Sequence, residues 1–346
     1  MKYRTLGATD IKVSEICLGT MTFGVQNDEA DGHAQLDRAL ELGVNFVDTA
    51  EMYPFPRAPE RYGRTEQIIG SWLAKNGRRD RIVLATKVSG PGLVPDIREG
   101  AVRLDRRNIM RAVDSSLKRL GTDYIDLYQV HWPDRNANYF GKLGFENVVD
   151  DPDVVPIEET LEALTDVVKA GKVRHIGVSN ETAWGTMRYL ELARHKAMAR
   201  VETIQNPYNL LNRSFEVGLA EVCLREQVSL LPYSPLCFGV LTGKYLGNAR
   251  PEGARLTLFP QFVRYLNSQG VQATEKYVAL ARAHDLLPEQ MSIAYLLTRP
   301  FVASVIIGAT TLEQLERNIG SVALTLPEEV LEEIEHIHHD HTYPCP

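Results

Sequence analysis

The sequence has no long hydrophobic run, and its cysteines are few and scattered. Its most apolar stretches, such as IVLA and SVIIGA, fall far short of the ~20 residues needed to cross a bilayer. The first ten residues, MKYRTLGATD, contain no apolar segment of a secretory signal. The four cysteines, Cys17, Cys223, Cys237 and Cys345, form no C-x-x-C pair, which favours reduced thiols over a disulfide framework. We therefore expect a cytoplasmic protein that does not span a membrane.

The chain also lacks an excess of basic residues and the usual glycine motif for dinucleotides. It has 38 Lys+Arg against 45 Asp+Glu, a formal net charge of −7, so it offers no electrostatic basis for binding nucleic acid. No G-x-G-x-x-G follows an apolar run, which argues against a Rossmann site. The 346 residues are 44% hydrophobic and can bury a large core. That length fits two ordinary domains or one α/β barrel.

Short apolar runs alternate with longer amphipathic segments from about residue 16 onward. The predicted strands are residues 16–20, 44–48, 82–87, 124–131, 175–179, 201–205, 228–233 and 305–308. Strands that are apolar throughout are typical of parallel sheets covered on both faces. Eight such strands separated by helices predict a single closed (β/α)8 TIM barrel over residues 1–346.

Two features lie outside this alternation. The opening YRTLGATDIKVSEI predicts a β-hairpin that turns at residues 7–10, and we expect it to cap the bottom of the barrel. Long irregular segments follow strands, so they should rise from the C-terminal face, where barrel enzymes keep their sites. Loops of such length in a compact domain are usually either functional or disordered. The four segments are residues 54–64, 88–106, 133–156 and 250–270.

Polar residues and glycines stand at the ends of the predicted strands. In chain order they are Gly19-Thr20, Asp48, Lys87, His131, Ser179-Asn180, Gln205, Tyr233-Ser234 and Gly308-Ala309-Thr310. Each has a structural explanation when taken alone; Asn180 and Thr310, for example, suit helix caps. The ends of parallel strands converge on one rim of a barrel. Eight such ends together therefore favour a functional site over a set of caps.

Asp48, Tyr53, Lys87 and His131 suit proton transfer to an oxygen atom. Lys87 leaves the strand next to that of Asp48, so the two can pair and keep each other charged where solvation is poor. A lysine cation beside Tyr53 favours the phenolate, and we expect it to lower the pKa of Tyr53 from its usual ~10. Tyr53 would then exchange protons near neutral pH, while His131 binds a substrate oxygen and shares in the transfer. This chemistry needs no metal.

Other rim residues suit a nicotinamide cofactor. Tyr233 offers a flat ring for stacking, and Ser179, Asn180 and Gln205 offer groups that can bind a carboxamide. The loop PYSPLCFGVLTGKY, which contains Lys244, suits a pyrophosphate. The segment GATTLEQLERN turns from strand to helix, which is either a phosphate site at a helix N-terminus or an ordinary strand–helix junction.

The ordered set of Asp48, Tyr53, Lys87 and His131 resembles the aldo-keto reductase superfamily across essentially the whole chain. Three further motifs in matching order carry the resemblance: GVSN at 177–180, QNPYN at 205–209 and YSPL at 233–236. MTFGVQN and the ending HTYPCP, with long insertions after Tyr53 and His131, make the chain most similar to bacterial Tas-type aldo-keto reductases. The resemblance implies reduction of aldehydes or ketones by direct hydride transfer, with Tyr53 as general acid and the other three residues in support.

The resemblance also implies that NADP(H) lies across the barrel mouth with Tyr233 stacked on the nicotinamide. The substrate, a small-molecule carbonyl compound, is expected at Tyr53, His131 and Trp132. The positions assigned to the cofactor are Gly19, Thr20, Met21, Asp48, Ser179, Asn180, Gln205, Tyr233, Ser234, Pro235, Leu236, Leu241, Thr242, Gly243, Lys244, Gly308, Ala309, Thr310, Gln314, Arg317 and Asn318.

This chain departs from the family pattern where the adenosine 2′-phosphate is usually bound. Many members have Lys-Ser where this chain has Gly308-Ala309, and an arginine where it has Gln314. Arg317 is the remaining candidate for that phosphate; otherwise the preference for NADPH over NADH is weak.

Several alternatives stay open at this stage. Potassium-channel β-subunits keep the fold and cofactor of this family without the histidine, so a redox-sensing or regulatory barrel with little turnover is the alternative function. The presence of His131 favours a reductase, although the same residues also serve alcohol oxidation.

The C-terminal HIHHDH is predicted as a helix end rather than a metal site. Aromatic residues around the loop after His131 suit either local packing or a substrate pocket, and nothing indicates an oligomeric state.

Overall fold

The structure is a computed structural model that describes residues 1–98, 100, 102–140, 144–145 and 149–346. The remaining residues belong to the predicted loops 88–106 and 133–156, so those two loops lie partly outside the described residues. The strands are β1 Tyr3–Thr5, β2 Lys12–Ser14, β3 Ile16–Gly19, β4 Phe46–Asp48, β5 Val83–Val88, β6 Ile125–Val130, β7 Val173–Ser179, β8 Val201–Gln205, β9 Ser229–Leu230 and β10 Val305–Ile307. The helices are α1 Glu29–Glu41, α2 Arg64–Asn76, α3 Arg106–Leu120, α4 Ile157–Lys169, α5 Ala183–Lys196, α6 Leu219–Glu226, α7 Arg255–Leu258, α8 Ser268–Ala283, α9 Pro288–Leu297, α10 Leu312–Gly320 and α11 Glu328–Asp340.

The strands β3 to β10 form one parallel sheet in the order β10-β3-β4-β5-β6-β7-β8-β9. The segment just before β10 closes the sheet against β9: Leu230 N–H donates to the Phe301 carbonyl (2.8 Å) and Ala303 N–H donates to the Leu230 carbonyl (3.0 Å). Helices connect the strands, and apolar residues of both pack into a large buried cluster, with a second cluster inside the barrel. The predicted (β/α)8 barrel is confirmed.

All eight predicted barrel strands are present, and the strand predicted at 201–205 has those bounds. The prediction at 228–233 is too long, because the strand is regular only over Ser229–Leu230. Pro232 has no N–H to donate to a neighbouring strand. Its carbonyl still accepts a bond from Ile306 N–H (3.0 Å), so the chain stays against the sheet until it turns out at Tyr233.

The N-terminal hairpin closes the bottom of the barrel, as predicted. β1 and β2 pair antiparallel, and Leu6 and Val13 pack with the fully buried Cys17, Phe46 and Leu127 at the lower end of the barrel interior. The turn needs a glycine, because Gly7 has a φ of +58° and a Cβ atom there would lie 2.5 Å from the backbone oxygen of Glu202.

The barrel helices bury the apolar faces that their sequences indicate. In α3, Ile109, Val113 and Leu120 are fully buried, and the side chain of Asp105 accepts a bond from the backbone of Asn108 to cap the helix.

The HIHHDH segment begins inside α11, and the described residues contain no group of three or more His, Cys, Asp or Glu positioned to hold a metal. In the described part of the chain, no helix is long and apolar enough to cross a membrane.

Candidate active site

Lys87 and Asp48 form a buried ion pair at the C-terminal rim of the barrel. Lys87 Nζ donates to Asp48 Oδ1 (2.6 Å) and to the Thr49 carbonyl (2.7 Å). The two residues are 0% and 2% exposed, as expected from their positions on the neighbouring strands β4 and β5. Burial alone would lower the pKa of Lys87, but the charge and the hydrogen bond of the Asp48 carboxylate outweigh it and raise that pKa. Lys87 is therefore charged at neutral pH.

Tyr53 leaves β4 on a short turn that brings its ring to Lys87. Its N–H donates to the Ala50 carbonyl (3.1 Å), and two residues later Phe55 N–H donates to the Met21 carbonyl (3.1 Å). The Lys87 ammonium lies 5.0 Å from the centre of the Tyr53 ring. These contacts place the phenol beside a fixed positive charge.

The expected lowering of the Tyr53 pKa is wrong in its net direction. Burial raises the pKa of Tyr53 above its ordinary value, and Lys87 lowers it by less than burial raises it. The contribution of Lys87 has the predicted sign, but the desolvation of the phenolate is the larger effect. Tyr53 is therefore protonated at neutral pH, which is the state that a proton donor requires.

His131 follows β6 directly and faces Tyr53. The two rings lie 5.7 Å apart and nearly perpendicular, at 81°. Burial, with help from the Lys87 charge, holds the pKa of His131 well below its usual range, so its imidazole is neutral. Within the described residues, the buried His131 Nδ1 has no hydrogen-bond partner. A neutral imidazole has one N–H to donate, so His131 suits binding an oxygen rather than protonating it.

Trp132 lies behind this site rather than facing a substrate. It is fully buried, its Nε1 donates to the Pro91 carbonyl (2.9 Å), and its ring lies 5.0 Å from that of His131. The Trp132 ring therefore has no exposed surface for the direct substrate contact that was predicted for it. Further along the loop, Phe140 and Phe145 are exposed, and Phe140 contacts Trp132 at its edge.

The second oxygen of Asp48 is held by two glutamine amides. Gln205 Nε2 donates to Asp48 Oδ2 at 2.9 Å and Gln129 Nε2 donates to it at 3.2 Å. Gln205 was predicted as a cofactor contact, whereas Gln129 was missed because it lies within the apolar run of β6. The one available signal was an amide in a strand whose residues are all buried.

Several predicted cofactor residues meet beside the acid–base residues. Tyr233 OH donates to Asn180 Oδ1 (2.7 Å), and Asn180 Nδ2 donates to the His131 carbonyl (2.9 Å). Ser179 Oγ donates to the Gln205 carbonyl (2.7 Å), and Thr20 Oγ1 donates to the Asp48 carbonyl (2.8 Å). The structure thus links the ends of five barrel strands (β3, β4, β6, β7 and β8) and the loop after β9 by side-chain bonds at one rim.

The segment after β9 carries two cations, Lys244 and Arg255, that form no ion pair within the described residues, although the Glu289 carboxylate raises the pKa of Lys244. Lys244 packs against Gly239, where a Cβ atom would lie 2.9 Å from its Nζ, and Arg255 lies 5.5 Å from the Phe238 ring centre. Burial lowers the pKa of both groups, and Arg255 lowers that of Lys244 further. Sequence reasoning missed Arg255, since it lies in the irregular segment 250–270.

Polar groups of the segment 308–318 are bonded within the segment and to neighbouring helices. Gln314 Oε1 accepts bonds from the N–H (3.0 Å) and the hydroxyl (3.1 Å) of Thr310. The guanidinium of Arg317 is bonded to Glu289 and Glu313. Arg317, the candidate for the 2′-phosphate, is therefore already paired with two carboxylates.

The Aldo/keto reductase family model matches residues 15–339. The chain belongs to the aldo/keto reductase family, which confirms the resemblance seen in its motifs.

Named relatives in bacteria and yeast are similar over most of the chain. "Protein tas" of Escherichia coli strain K12 is 54% identical, with 100% of each chain covered. "Uncharacterized oxidoreductase YrpG" of Bacillus subtilis is 34% identical over 96% of this chain and 94% of its own. "Aldo-keto reductase yakc [NADP(+)]" of Schizosaccharomyces pombe is 32% identical over 92% of this chain and 85% of its own. The likeness to the bacterial Tas-type proteins is thus confirmed.

Proposed function

We propose that this protein reduces aldehydes and ketones to alcohols with NADP(H), and that Tyr53 donates the proton. The observation that carries the proposal is a protonated phenol beside a buried Lys87–Asp48 ion pair and a neutral His131. A carbonyl oxygen that gains negative charge needs a proton donor and a fixed positive charge nearby. This site offers both.

Each of the four residues has a distinct task in this mechanism. Bound NADPH would supply a hydride to the carbonyl carbon. The His131 N–H orients the carbonyl oxygen, and the Tyr53 hydroxyl gives its proton to that oxygen as charge develops. Lys87 then stabilises the Tyr53 phenolate, and Asp48 keeps Lys87 charged. Because Lys87 and Asp48 are buried, their charges act through little solvent and are held in place before the reaction.

The loop after β9 supports the choice of a phosphate-bearing cofactor. Lys244 and Arg255 form no ion pair in the described part of the chain, and burial disfavours their charge. A pyrophosphate would neutralise both. Tyr233, which donates to Asn180 at the same rim, offers a ring for the nicotinamide, and the yeast relative named above carries NADP(+) in its name.

We further propose that residues 1–346 act as one domain on a small-molecule carbonyl substrate, without nucleic acid or a membrane. All four cysteines are free and buried, which fits the expected cytoplasmic location.

The assay that tests the function follows NADPH oxidation by the purified protein with a panel of aromatic and aliphatic aldehydes. We expect turnover with at least one aldehyde class and formation of the matching alcohol. Tight NADPH binding without turnover on any carbonyl compound would instead indicate a cofactor-sensing barrel.

The two reaction directions should respond oppositely to pH. Reduction needs the protonated phenol, and the Tyr53 pKa is raised, so kcat for reduction should stay level from about pH 6 to about pH 9 and fall only above that. Alcohol oxidation needs the phenolate and should become faster as the pH rises. The pH profiles of reduction and of oxidation are measured from steady-state rates with a substrate that has no ionisable group. A reduction rate that declines between about pH 6 and 8 contradicts Tyr53 as the acid, because it requires a donor with a near-neutral pKa.

Loss of either unpaired cation should weaken cofactor binding. Lys244→Met and Arg255→Met should each raise the Kd for NADPH on the order of tenfold, as expected for a lost charged hydrogen bond to a phosphate. The salt dependence of binding should become weaker as well. Fluorescence titration with NADPH gives the Kd. The matched control is Lys276→Met on α8, whose exposed side chain already pairs with Asp340. An equal loss of NADPH affinity in this control would contradict the assignment of Lys244 and Arg255 to the cofactor phosphates.

A further inference from the structure

Tyr53 lies in a turn beyond the end of β4, where the regular bonding of the sheet no longer holds the chain. Lys87 Nζ and the backbone of Ala85 both bond to Thr49 at the start of this turn. Beyond Thr49, one backbone bond in the described residues joins the turn to β5, from Glu51 N–H to the Lys87 carbonyl (3.4 Å). That distance is longer than the ~2.7–3.2 Å of ordinary N–H···O bonds, so the backbone alone holds the turn weakly beside Lys87.

The Glu51 side chain provides a stronger connection to β5. Its Oε1 accepts a bond from Ser89 N–H (2.7 Å), directly after the strand, and a second bond from the Arg98 guanidinium. The two residues of this ion pair, Glu51 and Arg98, are 2% and 7% exposed. Little water can compete for these bonds, and hydrogen bonds that involve an ionised group are about twice as strong as neutral ones.

Arg98 is itself held by two further groups. Its Nε donates to Asn108 Oδ1 (2.9 Å) in the first turn of α3, and its Nη2 donates to the Ser89 carbonyl (3.1 Å). Asn108 Nδ2 in turn donates to Asp105, which caps the helix. The guanidinium therefore anchors the carboxylate of Glu51 to α3 and to the end of β5.

We propose that Glu51 and Arg98 are positioning residues, which fix the turn after β4 and thereby keep the Tyr53 ring beside its buried cation. Glu51 precedes Tyr53 by two residues, and the centre of the Tyr53 ring lies 5.0 Å from Lys87 Nζ. Both positioning side chains are buried and bonded to each other, so their task is to place Tyr53 rather than to contact a substrate. The inference rests on the proposed function, since it assumes that Tyr53 transfers a proton.

The test replaces the pair without leaving a buried charge. In Glu51→Leu combined with Arg98→Met, both charges and the bond to Ser89 N–H are lost, and such a neutral replacement of a buried pair often costs little stability. We expect kcat for aldehyde reduction to fall on the order of 10- to 100-fold, because a misplacement of about 1 Å is enough for a loss of that size. The Kd for NADPH, measured by fluorescence titration, should stay within about twofold of wild type.

The pH profile of alcohol oxidation reports the position of Tyr53 relative to Lys87. The Lys87 charge favours the phenolate, and its effect weakens with distance. If the separation grows from about 5 Å to about 6 Å, the midpoint of the profile should rise by about 0.4 pH unit at an effective dielectric constant of about 20. A smaller fraction of folded protein lowers the rate without moving this midpoint.

Two further variants control for stability. Asp126→Asn combined with Arg79→Met removes the ion pair of the buried Asp126 (2.6 Å) near the start of β6, at the end of the barrel away from the rim, and its midpoint should match wild type. Glu51→Gln combined with Arg98→Met keeps an acceptor for Ser89 N–H, so its kcat and midpoint should lie between those of wild type and the leucine variant. It also repeats the test if the leucine variant folds poorly by circular dichroism.

The outcomes separate this inference from the proposed function. A raised midpoint with a lower kcat and unchanged NADPH binding supports the positioning role. A folded variant whose midpoint equals that of wild type overturns that role, whether or not kcat falls, and leaves the proposed function intact. A midpoint that rises equally in the Asp126→Asn, Arg79→Met control overturns the role as well. Absence of turnover by the wild type with every aldehyde overturns both.

Discussion

Tyr53→Phe should lower kcat for aldehyde reduction by about 10²- to 10⁴-fold, the range that a positioned general acid contributes. The substitution removes one hydroxyl and keeps the ring beside Lys87 and His131. Within the mechanism proposed above, no other group offers a proton to the carbonyl oxygen, since His131 is neutral and Lys87 is bonded to Asp48 and the Thr49 carbonyl. The Kd for NADPH should stay within about twofold of wild type, because the loss concerns the reaction and not the binding of the cofactor.

The control for this experiment is Tyr62→Phe. Tyr62 borders the same loop cluster, but it lies outside the ion pair that surrounds Tyr53. Its rate should be close to wild type. A Tyr53→Phe protein that retains more than about a tenth of the wild-type kcat rules out Tyr53 as the acid, since a general acid contributes at least about a hundredfold.

Lys87→Met should lower both activity and stability. It removes the charge that stabilises the Tyr53 phenolate, so kcat should fall by at least about a hundredfold. It also leaves the Asp48 carboxylate buried without a cation, which costs about 3–5 kcal/mol. That cost is a large part of the 5–15 kcal/mol by which domains are typically stable. Thermal unfolding should show a clear drop in Tm.

A second variant separates the two effects of this substitution. In Asp48→Asn combined with Lys87→Met, both charges are gone, and a buried pair replaced by neutral groups often costs little stability. The double variant should therefore recover most of the lost Tm while its kcat stays low. Recovery of activity together with Tm would show that Lys87 acts only through folding, and the proposed effect of its charge on Tyr53 would be wrong.

The sequence was sufficient to predict the barrel and the elements of its rim. Few folds other than a barrel fit eight apolar runs at helix-length spacing, and the C-terminal ends of parallel strands must lie at one edge of the sheet. Asp48 and Lys87 could be paired in advance because they end consecutive strands. The hairpin could also be predicted, since a turn that contains glycine separates two short runs in which apolar and polar residues alternate.

What could not be predicted depends on distances within the folded chain. The sign of the Tyr53 pKa shift is a balance between burial and the Lys87 charge, and only the packed loop decides which is larger. Gln129 looks like any buried strand residue until the strand register brings its amide to Asp48. Arg255 lies in an irregular segment where periodicity carries no information. In each case the sequence gives the residue type but not which residues lie next to it in the folded chain.

The most direct test of the central claim is to follow deuterium from [4,4-²H2]NADPH, in which both hydrogens on C4 are deuterium, into the product of aldehyde reduction by mass spectrometry. The proposed function predicts an alcohol with one deuterium on the carbon that bore the carbonyl, in amounts equal to the NADPH consumed, and almost none from Tyr53→Phe. An alcohol without the label, or no alcohol from a protein that binds NADPH tightly, would contradict direct hydride transfer at this site.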